Sequence, residues 1–294
     1  MQIRTDLAAE AAELYGQNTD GVHQRTYFCG DMKISQITID TQSAAERLGK
    51  MQGVYITCYF KALTDDFTSS DERIFAIANE IKKLMPQTGT VLAAGIGNKN
   101  ITPDSIGPKA CEKILPTRHL KNSVSKSFGF VNLRSVCVLS PGVLGQTGAE
   151  IVELLRAVVK ELDVCCIIAV DSLASNSLSR LGCTVQISDT GISPGAGIGL
   201  RRNAINKDTV GVPVIGIGVP TVADALTLSA DILCRGNDEQ TEEVLNKLRP
   251  EGRSMIVTPC DIDLLTDRAS LLVGMAINAA LQPEISAEDL FALI

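Results

Sequence analysis

Short apolar runs alternate along the chain with segments in which apolar residues recur at helical spacing. The runs are rich in β-branched residues and are typical of strands that are covered on both faces. They predict strands at 54–60, 90–97, 134–140, 163–171 and 212–218. Strands that alternate with helices predict a mainly parallel sheet flanked by helices. No internal repeat or low-complexity linker interrupts the pattern, so we expect an α/β fold with a single three-layer domain.

Capping residues predict where several of the helices begin. Three pairs of residues stand at the spacing of a capping box, namely Ser69/Glu72, Thr147/Glu150 and Thr221/Asp224. The first thirty residues alternate poorly and predict only a short helix near 7–15, followed by a loop.

The bulk composition excludes several classes of protein. A chain of 294 residues with 45% hydrophobic residues can bury a full core. It lacks the uninterrupted apolar run of about 18 residues that a membrane span needs, and its charged N-terminus lacks the apolar centre of a signal peptide. The net charge of -7 argues against non-specific binding of nucleic acid, which needs a basic surface. We therefore expect a cytosolic protein.

The nine cysteines predict buried free thiols and neither disulfides nor a metal site. No C-x-x-C pair occurs, and several cysteines lie in apolar runs such as "VCCIIAV", where Cys behaves as a small hydrophobic residue.

The end of the strand at 90–97 carries the first candidate residues for chemistry. It ends on Gly95 and Gly97, Asn98 comes next, and one carboxylate, Asp104, opens the following element. In open parallel sheets, ligands bind in the crevice outside the carboxyl ends of the strands. An Asp that follows a strand is also a common helix cap, so Asp104 taken alone fits either role.

Two further strand ends bring polar residues to the same predicted edge. Asp171 and Ser172 follow the buried run "CCIIAV" directly. Gly145, Gln146 and Thr147 lie in the turn after the strand at 134–140. The sequence therefore predicts that two carboxylates and several turns converge on one crevice.

Other chemistries lack their motifs. "GVLGQTG" has no Lys of a P-loop, and the glycines of "GAGIGLRRN" do not have the dinucleotide-binding spacing. Neither His23 nor His119 lies in a zinc motif, and no G-x-S-x-G elbow exists. Composition alone leaves a Ser–His–Asp triad open.

A pair of carboxylates is sufficient for peptide hydrolysis. When two acids approach closely, both cannot ionise, so one keeps a proton while the other stays charged. The charged acid takes a proton from water, and the protonated acid polarises the scissile carbonyl. The pair titrates as a unit, so the sequence does not assign the proton to one of the two residues.

Several segments, taken in order, resemble the germination proteases of spore-forming bacteria over most of the chain. They include "IRTDLAAEA", "AAGIGNKNITPDSIGPKA", "VLGQTGAE", "VDSLAS", "TGISPGAGIGLRRN" and "GVPVIGIGVPTVADA". The resemblance implies an endopeptidase that begins the degradation of small acid-soluble, DNA-coating spore proteins during germination. It implies that Asp104 and Asp171 are the catalytic aspartates and that the protein works in the cytoplasm of the forespore or spore core.

The resemblance also has implications for assembly, cofactors and fold. It implies a homotetramer that need not contact nucleic acid or a membrane. The fold it implies is similar to that of the hydrogenase maturation proteases, which present acids and a His to a bound metal. Because no matching His motif occurs here, we expect no metal and no other cofactor.

The family further implies removal of a short N-terminal propeptide, which divides the chain into residues 1–6 and a peptidase domain at 7–294. The cut would fall between Asp6 and Leu7. The stretch 5–10 is similar to the sites that this family cleaves, which run Thr, an acid, a bulky apolar residue, Ala, any residue and Glu. Judged from the residues alone, this stretch predicts the capped start of a helix. The two interpretations are compatible, because a cleavage site can lie at the start of a helix.

A second class of function stays open at this point. A non-catalytic α/β protein could use the same crevice to bind a metal or a small ligand. Asp104 and Asp171 would then be ligands or helix caps.

Overall fold

The computed structural model describes residues 5–15, 20–120, 133–196, 202–225, 228–229 and 255–294. Within these ranges one sheet contains the strands β1 Val22–Cys29, β2 Met32–Ile39, β3 Gly53–Tyr59, β4 Thr90–Ile96, β5 Val136–Gly142, β6 Val164–Ser175, β7 Thr184–Ser188, β8 Val214–Asp224 and β9 Ile256–Val257. The helices are α1 Ala8–Tyr15, α2 Gln42–Leu48, α3 Glu72–Leu84, α4 Ile106–Cys111, α5 Leu144–Thr147, α6 Ile151–Leu162, α7 Lys207–Val210, α8 Ile262–Leu281 and α9 Ala287–Leu293.

The sheet has the order β1-β2-β3-β7-β8-β6-β4-β5, and β9 pairs with β8. The neighbours β8, β6, β4 and β5 run parallel, whereas the remaining pairings are antiparallel. The predicted α/β fold, with a large sheet flanked by helices, is confirmed. The sheet is mixed, because an antiparallel half extends the parallel half that the apolar runs predict.

The antiparallel half begins with the β1–β2 hairpin, in a region where the sequence predicts a loop. The hairpin turns at Gly30, whose φ is +55°. Most side chains of β1 are exposed or half-buried, so the strand carries no apolar alternation. It is held by its backbone ladder to β2 and leaves almost no hydrophobic signal in the sequence.

Helices cover both faces of the parallel half. The larger core lies on the face of α3, α4 and α8, and a second core joins the other face to α6. Of the described helices, α8 alone is long and apolar enough to cross a membrane by length and composition, and most of it is buried in the core.

Three local expectations are corrected. Helix α3 is capped by Asp71, which accepts the Arg73 N–H at 2.9 Å, and Ser69 does not cap it. Thr221 and Asp224 do not cap a helix: both lie inside β8, the Thr221 hydroxyl donates to the Pro103 carbonyl at 2.7 Å, and helical backbone begins only at Ala225. Strand β6 continues to Ser175, beyond its predicted end.

Candidate active site

The strand order brings the two predicted acids to the ends of two neighbouring strands, β4 and β6. After β4, the chain adds β5 on one side of β4 and then β6 on the other. The carboxyl ends of strands at such a reversal form the usual ligand site of an open α/β sheet. Asp104 follows β4, and Asp171 lies in β6 directly after Val170, the residue that pairs with Gly95.

The turn after β4 is built around Asp104. Gly97 has a φ of +121°, and a Cβ there would lie 2.1 Å from the backbone carbonyl oxygen of Asp104. The Asn98 N–H donates to Asp104 Oδ2 at 2.7 Å, and the Asp104 N–H donates to the Ile101 carbonyl at 2.8 Å. Only glycine fits at position 97, because the turn folds back onto the acid that it presents.

Gly95 has a different role from Gly97. A Cβ at Gly95 would lie 2.3 Å from the Gly107 carbonyl oxygen, and a Cβ at Gly107 would lie 2.4 Å from the Val170 carbonyl oxygen. These two glycines let α4 lie directly against the ends of β4 and β6. The acids therefore rest on a closely packed support.

Of the three candidate residues in the predicted turn after β5, Gln146 contacts the turn that holds Asp104. Gln146 Nε2 donates to Asn98 Oδ1 at 2.9 Å, which links this turn to the Asp104 turn. Gly145 is exposed, and an added Cβ would meet nothing within 4 Å. The Thr147 hydroxyl donates to the Ala149 carbonyl at 3.0 Å. Among the bonds of the described residues, neither Gly145 nor Thr147 contacts the acids.

Burial raises the pKa of both acids, and repulsion by Asp104 adds to the rise at Asp171. Burial raises the pKa of Asp171 well above its ordinary value of 3.8, and the negative Asp104 raises it further. The Ser172 N–H, which donates to Asp171 Oδ1 at 2.8 Å, opposes this rise. Burial also raises the pKa of Asp104, against the Asn98 N–H and the positive Arg202. The pair therefore holds a proton at a pH at which a lone Asp would have lost it.

Ser172 contributes to the candidate site through its backbone N–H. Its N–H binds Asp171, whereas its buried hydroxyl has no hydrogen-bond partner among the described residues.

Asp171 lines a cleft of about 1120 Å³, and Asp104 lies outside that lining. The N-terminal segment also lines the cleft, through Thr5 and Asp6. The Asp6 N–H donates to the Ala174 carbonyl at 3.0 Å, and the Ala174 N–H donates back to Asp6 Oδ2 at 2.8 Å. The segment is thus bound to the same strand that carries Asp171.

The residues after Asp6 are held equally closely. Leu7 is fully buried, and α1 begins directly after it. The carboxylate of Glu10 is buried and accepts the Ser175 hydroxyl at 2.6 Å, the Asn176 N–H at 2.9 Å and the Ser177 N–H at 3.2 Å. The chain after β6 therefore forms a polar socket for this Glu.

Two residues of the cleft have no place among the candidates predicted from sequence. Lys50 Nζ donates to the Asp6 carbonyl at 2.9 Å, and Gln186 Nε2 donates to the same oxygen at 3.2 Å. Burial lowers the pKa of Lys50, and the negative charges of Asp6 and Glu10 oppose this. The one available signal was a polar residue, Gln186, in the middle of the buried strand β7.

The other potential ligands lie apart from the acids. Within the described ranges no group of three or more His, Cys, Asp or Glu side chains has a metal-binding arrangement. His23 forms an exposed pair with Asp40 at 3.2 Å. The described cysteines are free thiols, and the expectation that they are buried is wrong for Cys29 and Cys260, which are exposed.

Two comparisons of the sequence with known proteins agree on one family. The sequence profile described as germination protease matches residues 2–235. The chain is 38% identical over 321 residues to the germination protease of Clostridium tetani, covering 99% of this chain and 98% of that protein. It is 40% identical over 318 residues to the germination protease of Caldanaerobacter subterraneus subsp. tengcongensis, again covering 99% and 98% of the two proteins.

Among solved structures, the chain is similar to a [NiFe] hydrogenase maturation protease, HycI from Thermococcus kodakarensis KOD1. The TM-score is 0.36 at 13% sequence identity, over 67% of this chain and 98% of that one. A likeness of this size is too weak to carry a functional conclusion.

Proposed function

Because the chain belongs to the germination protease family and is therefore a peptidase of spore germination, we propose that Asp104 and Asp171 are its catalytic pair. We propose further that its substrates are the small acid-soluble proteins that coat spore DNA, and that it is a homotetramer whose N-terminus is a self-cleaved propeptide. Family membership decides against the non-catalytic binding protein that the sequence alone left open.

The single observation that carries the proposal is the seating of the N-terminal segment beside Asp171. Asp6 lies in the cleft and is close enough to raise the pKa of Asp171, while Leu7 is buried and Glu10 fills its polar socket. These are the acid, the bulky apolar residue and the Glu of the sites that the family is expected to cut. A cleft that holds this segment fits a substrate with the same sequence.

In the proposed reaction the acid pair begins with one proton. The charged carboxylate takes a proton from water, whose oxygen attacks the carbonyl carbon of the residue before the scissile bond. The protonated carboxyl hydrogen-bonds to the reacting group and then gives its proton to the leaving amine. Both acids have raised pKa values, so the pair keeps its proton to a higher pH than a lone Asp would.

The first expected result concerns the substrate. Purified protein, freed of residues 1–6, should cleave a small acid-soluble spore protein after the acid of a Thr-acid-apolar-Ala-x-Glu site. A chelator should leave the rate unchanged, because the acids activate water without a metal in this mechanism. Fragment masses from a time course identify the bond that is cut. Loss of activity with the chelator, restored by added metal, would contradict the two-carboxylate mechanism.

The second expected result is self-cleavage between Asp6 and Leu7. Intact mass spectrometry over time should show the loss of residues 1–6, faster in mild acid than at neutral pH. Acid favours the cut because the pair needs one proton, and the pair loses that proton as the pH rises through the raised pKa of Asp171.

The control for this experiment is the Asp104→Asn variant, which should stay at full length under the same conditions. A new N-terminus at another residue, or equal processing of this variant, would contradict the autocatalytic account.

A further inference from the structure

We propose that Lys50 and Gln186 form the oxyanion hole of this peptidase. Both side chains donate a hydrogen bond to the carbonyl oxygen of Asp6, at 2.9 and 3.2 Å. This inference rests on the proposed function, in which the bond between Asp6 and Leu7 is cut. On that premise, the oxygen that the two side chains contact is the one that becomes negative during the reaction.

The position of Lys50 is fixed by the end of α2. Gly49 ends that helix in the left-handed conformation, with a φ of +62°, and the Lys50 N–H donates to the Ala45 carbonyl at 3.0 Å. This turn directs the Lys50 side chain into the cleft, where Nζ also donates to the Thr5 carbonyl at 3.0 Å. An ammonium group in a partly buried cleft stabilises a nearby negative charge more strongly than it would in bulk water.

Gln186 holds the peptide on both sides of Leu7. Its Oε1 accepts the Ala8 N–H at 2.7 Å, while its Nε2 donates to the Asp6 carbonyl. The Ala8 N–H needs an acceptor, so the orientation of the amide follows from the two contacts. A clamp of this kind contacts only backbone atoms, so it would hold a substrate of any side-chain sequence in the same register.

The register of the sheet aligns Asp171 with the side-chain amide of Gln186. Asp171 pairs with Gly218 of β8, and Gly218 pairs with Gln186 of β7, so the three residues form one row across the strands. Residues in one row of neighbouring strands face the same side of the sheet. Two strand spacings separate Asp171 from Gln186 by about 10 Å. The glycine at the centre of the row is covered by the Leu173 side chain, since a Cβ at Gly218 would lie 2.4 Å from Leu173 Cγ.

Hydrolysis of the bond after Asp6 requires hydrogen-bond donors at the Asp6 carbonyl oxygen. As the water oxygen bonds to the Asp6 carbonyl carbon, the π electrons of the carbonyl move onto its oxygen, and the water proton passes to the charged acid. Lys50 and Gln186 stabilise the resulting oxyanion. The carbonyl then re-forms, the bond to the Leu7 nitrogen breaks, and that nitrogen leaves with the proton of the protonated acid. Asp6 gains a carboxyl group, and the pair again holds one proton.

The inference is tested with Lys50→Met, which keeps a stem of similar length and removes the charged donor. The matched control is Lys109→Met, since Lys109 is also partly buried and binds Thr266 and Asp267 away from the cleft. Cleavage of a peptide that contains Thr-Asp-Leu-Ala-Ala-Glu is followed to obtain kcat and KM. We expect kcat of Lys50→Met to fall about 10²–10³-fold with KM changed only a few-fold, because the donor acts on charge that develops in the transition state. We expect Lys109→Met to match the unsubstituted protein.

Two results would overturn the inference. One is an unchanged kcat in Lys50→Met, and the other is a rise in KM alone, which would mean that Lys50 only binds the peptide. If Lys50→Met does not fold, as judged by thermal unfolding, Lys50→Arg and Gln186→Met take its place. Arg still donates and should keep more of kcat than Gln186→Met, and equal full activity of both would overturn the inference.

The proposed function fails on different grounds. It fails if the unsubstituted protein does not cut between Asp and Leu of the peptide, or if Asp171→Asn cuts as fast as the unsubstituted protein. Failure of the oxyanion hole alone leaves cleavage at this bond and its dependence on Asp171 intact.

Discussion

Asp171→Asn and Asp104→Asn are each expected to lower the turnover of spore-protein cleavage by about 10²–10⁴-fold, the usual contribution of a general acid or base. An amide can neither take a proton from water nor give one to a leaving amine, and the pair needs both functions. Turnover per folded molecule is measured on the spore protein. Near-normal turnover of either variant would contradict the proposed roles of the two acids.

The control for this experiment is Asp71→Asn, because Asp71 is a helix cap remote from the cleft. Asn caps a helix about as well as Asp does, so Asp71→Asn should keep full activity. If Asp104 were only a cap, Asp104→Asn would behave in the same way as this control.

Stability gives an independent check on Asp171→Asn. The folded pKa of Asp171 lies well above 3.8, so the folded state pays a penalty for ionisation that grows as the pH rises from 3.8 through the folded pKa. Asn removes the penalty and still accepts the Ser172 N–H. The variant should therefore unfold at a higher temperature than the unsubstituted protein at pH 7, and the difference should vanish below pH 3.8.

Gly97→Ala is expected to reduce turnover about 10²-fold or more while the core stays folded. The new Cβ would lie 2.1 Å from the backbone carbonyl oxygen of Asp104, so the turn must open and carry the acid away from its place. A misplacement of a catalytic group by about 1 Å can lower a rate about 10²-fold. Turnover per folded molecule and thermal unfolding are measured together.

Gly211→Ala is the matched control for Gly97→Ala. Gly211 also has a positive φ, +87°, but an added Cβ there would meet nothing within 4 Å, so it reports the backbone strain alone. Gly21, a loop glycine with a φ of +77°, is unsuitable as a control, because it is buried and its Cβ would lie 2.1 Å from Thr41 Oγ1. If the two Ala variants lose stability equally and both keep full turnover, Gly97 is a turn glycine without a part in the site.

The parallel half of the sheet and both acids could be predicted from the sequence because each leaves a local signal. Strands covered on two faces are continuous apolar runs, and an acid that follows such a run stands out. The Gly97 turn was predictable for the same reason. The strand that bears Asp171 was placed correctly and ended too early, since its polar end at Ser175 is bound to Glu10 and looks like a loop in the sequence.

Lys50 and Gln186 could not be predicted because their roles depend on distant pairings. Lys50 follows a short helix in the antiparallel half, and only the order β7-β8-β6 brings Gln186 into the same row as Asp171. Strand β1 was missed because most of its side chains are exposed or half-buried, so its backbone bonds to β2 leave no apolar pattern in the sequence.

The two acids stand on supports of very different strength. Asp171 lies in a twelve-residue strand at the centre of the sheet. Asp104 lies at the end of a short turn, which is held by its hydrogen bonds with the Asn98 N–H and the Ile101 carbonyl and by the bond from the Thr221 hydroxyl to the Pro103 carbonyl. Opening a turn of a few bonds requires far less free energy than disrupting a central strand, so amide hydrogens in the turn exchange with solvent sooner than those of β6. We therefore expect the turn to open on heating while the sheet is still intact, so that hydrolysis stops at a temperature below that of global unfolding.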